Sequence, residues 1–196
     1  DEGGGTGFTK LKLKCPSEKR KVVVFENCHK GSNLRHELSE HAGLPVKKGE
    51  KYAFNLWFRE EKFGVPNKRI SLEIENKPKN KPMSKIIESS SKITNSKGEN
   101  KSKVDFKLTE KTITLHTNPN VHSYLNVLSE DDINSILKLS NLKSENKSRC
   151  WLKNNSIPRI IAKIVGKTNT KPEFYENMAL TFYSPEAIHN SHLDAY

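Results

Sequence analysis

Two histidines and an aspartate, far apart in the sequence, have side chains that could bind one metal ion. His192 and Asp194 form a His-x-Asp triplet, and His41 precedes a turn marked by Gly43 and Pro45. Alternate residues of a β-strand share a face, so the triplet can direct both side chains to one ion. Two imidazoles and a carboxylate are the ligands that non-haem Fe(II) takes in proteins. A lone His-x-Asp also arises by chance, and a lone histidine beside a turn is usually structural.

A lysine ten residues after His41 opens a predicted strand with two different faces. One face would carry Tyr52, Phe54, Leu56 and Phe58, and the other Lys51, Ala53, Asn55 and Trp57. The aromatic face predicts packing against a core. The second face carries one long cation among small, amide and indole groups, which favours the inside of a pocket.

The run from His41 to Lys51 reads His-Ala-Gly-Leu-Pro-Val-x-x-Gly-x-Lys. It closely resembles the last catalytic motif of the prolyl 4-hydroxylase family of Fe(II)/2-oxoglutarate dioxygenases. The resemblance implies that His41, His192 and Asp194 bind iron and that Lys51 pairs with the far carboxylate of 2-oxoglutarate. Tyr183, nine residues before His192, matches a tyrosine that hydrogen-bonds 2-oxoglutarate in the family, although a half-buried strand aromatic explains it equally well.

The same resemblance implies an activity and a fold. The expected reaction is hydroxylation of a prolyl residue in a peptide or protein by O2, with 2-oxoglutarate converted to succinate and CO2, and with ascorbate as a family cofactor. The expected fold class is α+β, mainly β, built from halves of a double-stranded β-helix (jelly roll) with supporting helices in the C-terminal half. No catalytic residue beyond the metal and cosubstrate ligands is implied. Two alternatives are a catalytically incomplete oxygenase-like module that acts in binding, and a basic interaction protein.

The motifs occur in the reverse of the family's order, since this chain has the glycine turn Gly3–Phe8 first and His192-x-Asp194 last. Residues 1–62 resemble the C-terminal half of a dioxygenase domain, and residues 111–196 the N-terminal half of a second or permuted one. The chain could be cut from a tandem protein, be a circular permutant, or be a swapped oligomer. We favour the tandem arrangement, which predicts that His41 and the His192/Asp194 pair lie in separate lobes. The core strand that joins the halves in the family has no counterpart here, which predicts an unpaired sheet edge beside the site.

The composition is polar and basic: of 196 residues, 33% are hydrophobic and 29% charged, with a net charge of +11. Much of the excess lysine lies in the predicted linker of residues 63–110, and residues 77–103 within it have little to bury. These lysines lack interleaved aromatic residues, which argues against nucleic-acid binding as the main function. No apolar run is long enough to span a membrane, and the sequence does not indicate a compartment.

The remaining patterns predict scaffold. Ser129 is expected to cap a helix whose apolar face carries Ile133, Ile136, Leu137 and Leu139. A second helix is expected from about Ser156 to Gly166, with Pro158 near its start. Predicted strands cover residues 22–25, 112–116, 121–127 and 178–183.

Overall fold

The computed structural model describes residues 2–60, 109–142 and 148–194. Within these ranges the chain is mainly β, with several antiparallel sheets and two α-helices, which agrees with the predicted mainly-β α+β class. The predicted flexible stretch 77–103 lies outside the described residues, as does most of the linker predicted at 63–110. Neither helix of the described ranges is long and apolar enough to cross a bilayer.

The N-terminal segment is a series of short strands. They are β1 Glu2–Gly3, β2 Thr6–Phe8, β3 Leu13–Cys15, β4 Val22–Phe25, β5 His41–Gly43, β6 Val46–Lys48 and β7 Lys51–Asn55. The C-terminal segment adds β8 Lys111–Thr117, β9 Asn120–Leu125, helix α1 Glu130–Ser140, β10 Arg149–Leu152, helix α2 Pro158–Thr168, β11 Met178–Tyr183 and β12 His189–His192.

Strands from the two segments share three of the four sheets among the described residues. These sheets have the orders β10-β11-β7, β12-β5-β2-β3 and β4-β9-β8, and β1 pairs with β6 in the fourth. All the described residues belong to one compact unit. The prediction of separate lobes is therefore wrong, because β5, β7 and β4 take their hydrogen-bonding partners from the C-terminal segment. The permuted alternative requires this kind of pairing. The sheets do not close into a barrel within the described ranges, so the jelly roll stays a prediction.

Helix α1 packs on β10 and helix α2 packs on β4, and both helices begin where the sequence predicts. Ser129 caps α1, and its hydroxyl accepts from the backbone N–H of Asp132 while the Asp132 carboxylate accepts from the Ser129 backbone. Ile136 is buried, but Leu139 is 48% exposed and does not belong to the predicted apolar face. Gly166 does not end α2, because the helix runs on to Thr168 and Asn169 supplies the left-handed terminal residue.

The aromatic face of β7 packs against the core, as the alternation predicts. Tyr52 and Phe54 contact a buried cluster that includes Met178 and Leu180 of β11, and the Tyr52 and Phe182 rings lie 5.0 Å apart. The opposite face of β7 is thereby turned away from the helices. This arrangement leaves Lys51 on the side of the sheet where β5 and β12 meet.

The glycine-rich segment joins two sheets rather than forming a hairpin. β1 pairs with β6, whereas β2 pairs with β3 and β5. Gly3 has a φ of +81°, and a Cβ at that position would lie 2.2 Å from the Pro45 carbonyl oxygen. Only glycine fits this close approach of two backbones.

Candidate metal centre

The structure brings His41, His192 and Asp194 together. β5 and β12 are antiparallel, and His41 lies directly opposite His192 in their register, with ring centroids 4.4 Å apart. Asp194 follows two residues after His192, just past the end of β12. One ligand atom from each residue lies within 4.8 Å of the other two. The prediction that His41 and the His192/Asp194 pair lie in separate lobes is therefore wrong, since the pairing of β5 with β12 places the two histidines side by side.

Backbone carbonyls orient both imidazoles. Nδ1 of His41 lies 3.0 Å from the Ser39 carbonyl oxygen, and Nδ1 of His192 lies 2.8 Å from the Asn190 carbonyl oxygen. A carbonyl oxygen only accepts hydrogen bonds, so each Nδ1 carries the proton and donates it. In a neutral ring the lone pair is then on Nε2, which is the atom available to a metal. A ring N–H held by a backbone carbonyl is the usual support of a metal-binding histidine.

His41 lies in an apolar setting that keeps it neutral. Its ring centroid lies 4.8 Å from that of Phe25 and 6.0 Å from that of Phe8. Burial lowers the pKa of His41 most, and the neighbouring His192 and His189 lower it further, against the opposing effects of the Ser39 carbonyl and the Asp194 carboxylate. Because only a neutral imidazole can bind a metal, this lowered pKa makes His41 available as a ligand near neutral pH.

Two side chains that the sequence did not assign hold the carboxylate of Asp194. Asn27 Nδ2 donates to Asp194 Oδ2 at 3.0 Å, and Trp57 Nε1 donates to the same oxygen at 3.3 Å. The other oxygen, Oδ1, lies 3.6 Å from Nε2 of His192. The alternation that begins at Lys51 predicted that Trp57, just beyond β7, faces a pocket. Nothing in the sequence predicted a role for Asn27, which lies in an irregular loop.

The donor set fits a divalent transition metal. Three ligand atoms on one side of an ion, each at ~2.0–2.2 Å from it, lie roughly 3 Å from one another, so the observed spacing of up to 4.8 Å is wider than that of a loaded site. Two imidazoles and one carboxylate on one side of an ion leave its other positions open, as in non-haem Fe(II) sites.

Lys51 and Tyr183 lie next to the cluster on neighbouring strands. They are register partners of β7 and β11, and the Lys51 ammonium lies 4.8 Å from the centroid of the Tyr183 ring. Burial lowers the pKa of Lys51. Within the described ranges Lys51 has no carboxylate partner, so a partly buried ammonium is available for an anionic ligand.

A cavity of about 500 Å³ connects these groups. Its walls include His41, His192, His189, Lys51 and Tyr183. All five residues of β7, which is an edge strand of its sheet, line the cavity, and the lining extends to Leu137 of α1 and Leu180 of β11. No described strand pairs with the open edge of β7, which is the arrangement expected if a core strand is missing.

His189, at the start of β12, also lines the cavity. Its ring centroid lies 4.6 Å from that of His192. Desolvation lowers the pKa of His189 most, followed by the effect of His192. His189 is therefore a neutral wall of the cavity near neutral pH.

Comparison with known proteins gives one partial match. The chain is 45% identical over 60 residues to a protein of Acanthamoeba polyphaga mimivirus named "Putative prolyl 4-hydroxylase". The match takes in 31% of this chain and 25% of the relative, so the chain spans about a quarter of that protein's length. No family model matches the chain, and no solved structure matches it. The match points to the prolyl 4-hydroxylase family without showing membership.

Proposed function

We propose that this chain carries the metal centre of an Fe(II)/2-oxoglutarate dioxygenase that hydroxylates peptidyl proline. One observation carries the proposal: His41, His192 and Asp194 converge, with both imidazoles held in the tautomer that a metal requires. The partial match to the viral protein and the His41–Lys51 motif support the same conclusion. When bound, Fe(II) and 2-oxoglutarate supply the oxidising chemistry.

The residues of the chain have separate tasks in this proposal. His41, His192 and Asp194 hold the ion, while Asn27 and Trp57 fix the carboxylate rotamer through hydrogen bonds to Oδ2. The partly buried ammonium of Lys51 would bind the far carboxylate of 2-oxoglutarate, in a setting where desolvation strengthens the charge-assisted hydrogen bond.

Tyr183 and Phe25 have supporting roles. The Tyr183 hydroxyl would donate to 2-oxoglutarate, and the Tyr183 ring lies beside the Lys51 ammonium, which is 4.8 Å from its centroid. The rings of Phe25 and Phe8 contact each other and exclude water from the His41 side.

The finer fold in this proposal is a permuted double-stranded β-helix. The sheet β12-β5-β2-β3 would be one wall, and β10-β11-β7 would belong to the other. The cross-segment pairing of β5 with β12 and of β7 with β11 supports it. The open edge of β7 marks the position of the core strand that the resemblance leads us to expect.

The test is iron-dependent conversion of 2-oxoglutarate to succinate by the full chain, with and without a proline-containing peptide. We expect turnover that His41→Ala and Asp194→Ala each abolish. His122→Ala is the matched control, because His122 on β9 bonds to Thr114 and is not part of the cluster. Metal binding without any succinate release would instead favour the incomplete, binding-only module. Absence of both would refute the proposal.

A further inference from the structure

The two tryptophans of the chain form a pair at the candidate metal centre. Their ring centroids lie 6.1 Å apart with an interplanar angle of 32°. Trp57 is partly buried and donates its indole N–H to Asp194. Trp151, on β10, is 55% exposed. The pair therefore leads from a proposed metal ligand to the protein surface.

The exposure of Trp151 follows from its place in the sheet. Its register partner on β11 is Ala179, a side chain too small to cover an indole, and β10 is the edge strand of the sheet. Single exposed apolar side chains are common on protein surfaces. Trp151 differs from such residues because it lies beside the ring of Trp57, which is hydrogen-bonded to Asp194 of the candidate metal centre.

We propose that the exposed indole of Trp151 is a binding surface for an extended, proline-containing segment of the substrate, outside the residue that reacts. Proline-rich segments adopt the polyproline II conformation and bind to aromatic surfaces, since little conformational freedom is lost on binding. Such a segment advances ~3.1 Å per residue. A peptide proline ring that packs on Trp151 would then lie about three or four peptide residues away from the peptide residue beside Asp194.

This inference rests on the proposed function for the identity of the site, but its first test does not depend on turnover. The chain contains only two tryptophans, so Trp57→Phe leaves Trp151 as the sole indole and its fluorescence reports on that ring alone. We would titrate this variant of the full chain with a synthetic proline-rich peptide of about ten residues. A peptide with alanine at each proline position is the comparison.

We expect saturable change in Trp151 emission with the proline peptide and little with the alanine peptide. Trp151→Ala, made with Trp57 retained and followed by calorimetry, should weaken binding of the proline peptide by about twofold to tenfold, the range of a single aromatic contact. Leu139→Ala is the control, because Leu139 on α1 is likewise an exposed apolar residue but is not aromatic. Equal responses to the two peptides, or unchanged affinity in Trp151→Ala, would overturn the inference.

Turnover separates the inference from the proposed function. In an active chain, Trp151→Ala should raise KM for the peptide while peptide-independent decarboxylation of 2-oxoglutarate stays unchanged. A chain with no turnover that still binds the proline peptide through Trp151 would refute the proposed activity and support the binding surface. An active chain whose KM is the same with and without Trp151 would refute the surface alone.

Discussion

Asn27 provides a sharp test of how the candidate centre is held together. Its amide donates to Asp194 Oδ2 at 3.0 Å, across 167 positions of sequence. Its own Oδ1 is buried with no partner among the described residues, so the side chain is held mainly through the contact to Asp194. We expect Asn27→Ala to weaken metal binding without removing a ligand.

The size of the effect follows from the chemistry of the contact. A hydrogen bond to a charged group contributes ~1.5–3 kcal/mol, and loss of a group that supports a metal ligand costs about 10- to 100-fold in metal affinity. Trp57 also donates to the same oxygen, at 3.3 Å, so Asp194 keeps one support and the lower end of that range applies. We therefore expect a loss of about tenfold.

The assay is titration of the full chain with Co(II), followed by calorimetry or visible absorption. Asn120→Ala is the matched control, because Asn120 also donates to a carboxylate, that of Glu26 at 2.9 Å, on β9. Asn120→Ala should leave the metal affinity unchanged. If Asn27→Ala binds Co(II) as tightly as the unmodified chain, the hydrogen bond to Asp194 does not orient a ligand and the reasoning is refuted.

Three other perturbations address separate parts of the structure. Lys51→Ala should raise the 2-oxoglutarate concentration needed for half-maximal turnover by about ten- to a hundredfold, because a hydrogen bond to a charged group contributes ~1.5–3 kcal/mol. Metal binding should persist, and an unchanged 2-oxoglutarate requirement would show that Lys51 does not bind the cosubstrate. Asp132 is buried, which opposes its ionisation, but hydrogen bonds from Lys163 and Ser129 outweigh this and lower its pKa. The Asp132 carboxylate therefore stabilises the folded chain fully above its unfolded pKa of ~3.9, and this stabilisation is lost as the pH falls through the lower folded pKa. Asp132→Asn should make the free energy of unfolding depend less on pH in the acid range, and an unchanged acid dependence would contradict this. Gly3→Ala should lower the free energy of unfolding, measured with urea, by about 1–3 kcal/mol, because the new Cβ would meet the Pro45 carbonyl oxygen. Gly31→Ala is the control and should cost less, because Gly31 also has a positive φ but nothing lies within 4 Å of its Cβ position. Equal costs would show that the close contact is not the cause.

Local pattern was enough to predict many of the elements. The alternation from Lys51 to Phe58 predicted β7 and its aromatic core face, and Ser129 predicted the start of α1. These features depend on neighbouring residues, whose spacing the sequence displays directly. The end of α2 was misplaced at Gly166 because a glycine inside a helix costs only ~0.5–1 kcal/mol, and because Asn169 can also adopt the left-handed conformation that ends a helix.

The long-range arrangement could not be predicted in the same way. The residue types of His41, His192 and Asp194 indicated a metal site, but the reversed order of motifs favoured two separate half-sites. The three residues converge because β5 pairs with β12. No pattern among neighbouring residues predicts which strand will pair with an edge strand such as β12. Asn27 illustrates the same limit, since an amide in a loop becomes relevant only once Asp194 is placed beside it.

The central claim is that one ion binds to His41, His192 and Asp194 together. The most direct measurement is anaerobic Fe(II) titration of the full chain and of three variants, His41→Ala, His192→Ala and Asp194→Ala. The structure predicts one ion per chain and a large loss of affinity in each variant, because each removes one of three converging ligands. If His41→Ala bound Fe(II) as tightly as the unmodified chain while His192→Ala and Asp194→Ala did not, the three residues would not form one site.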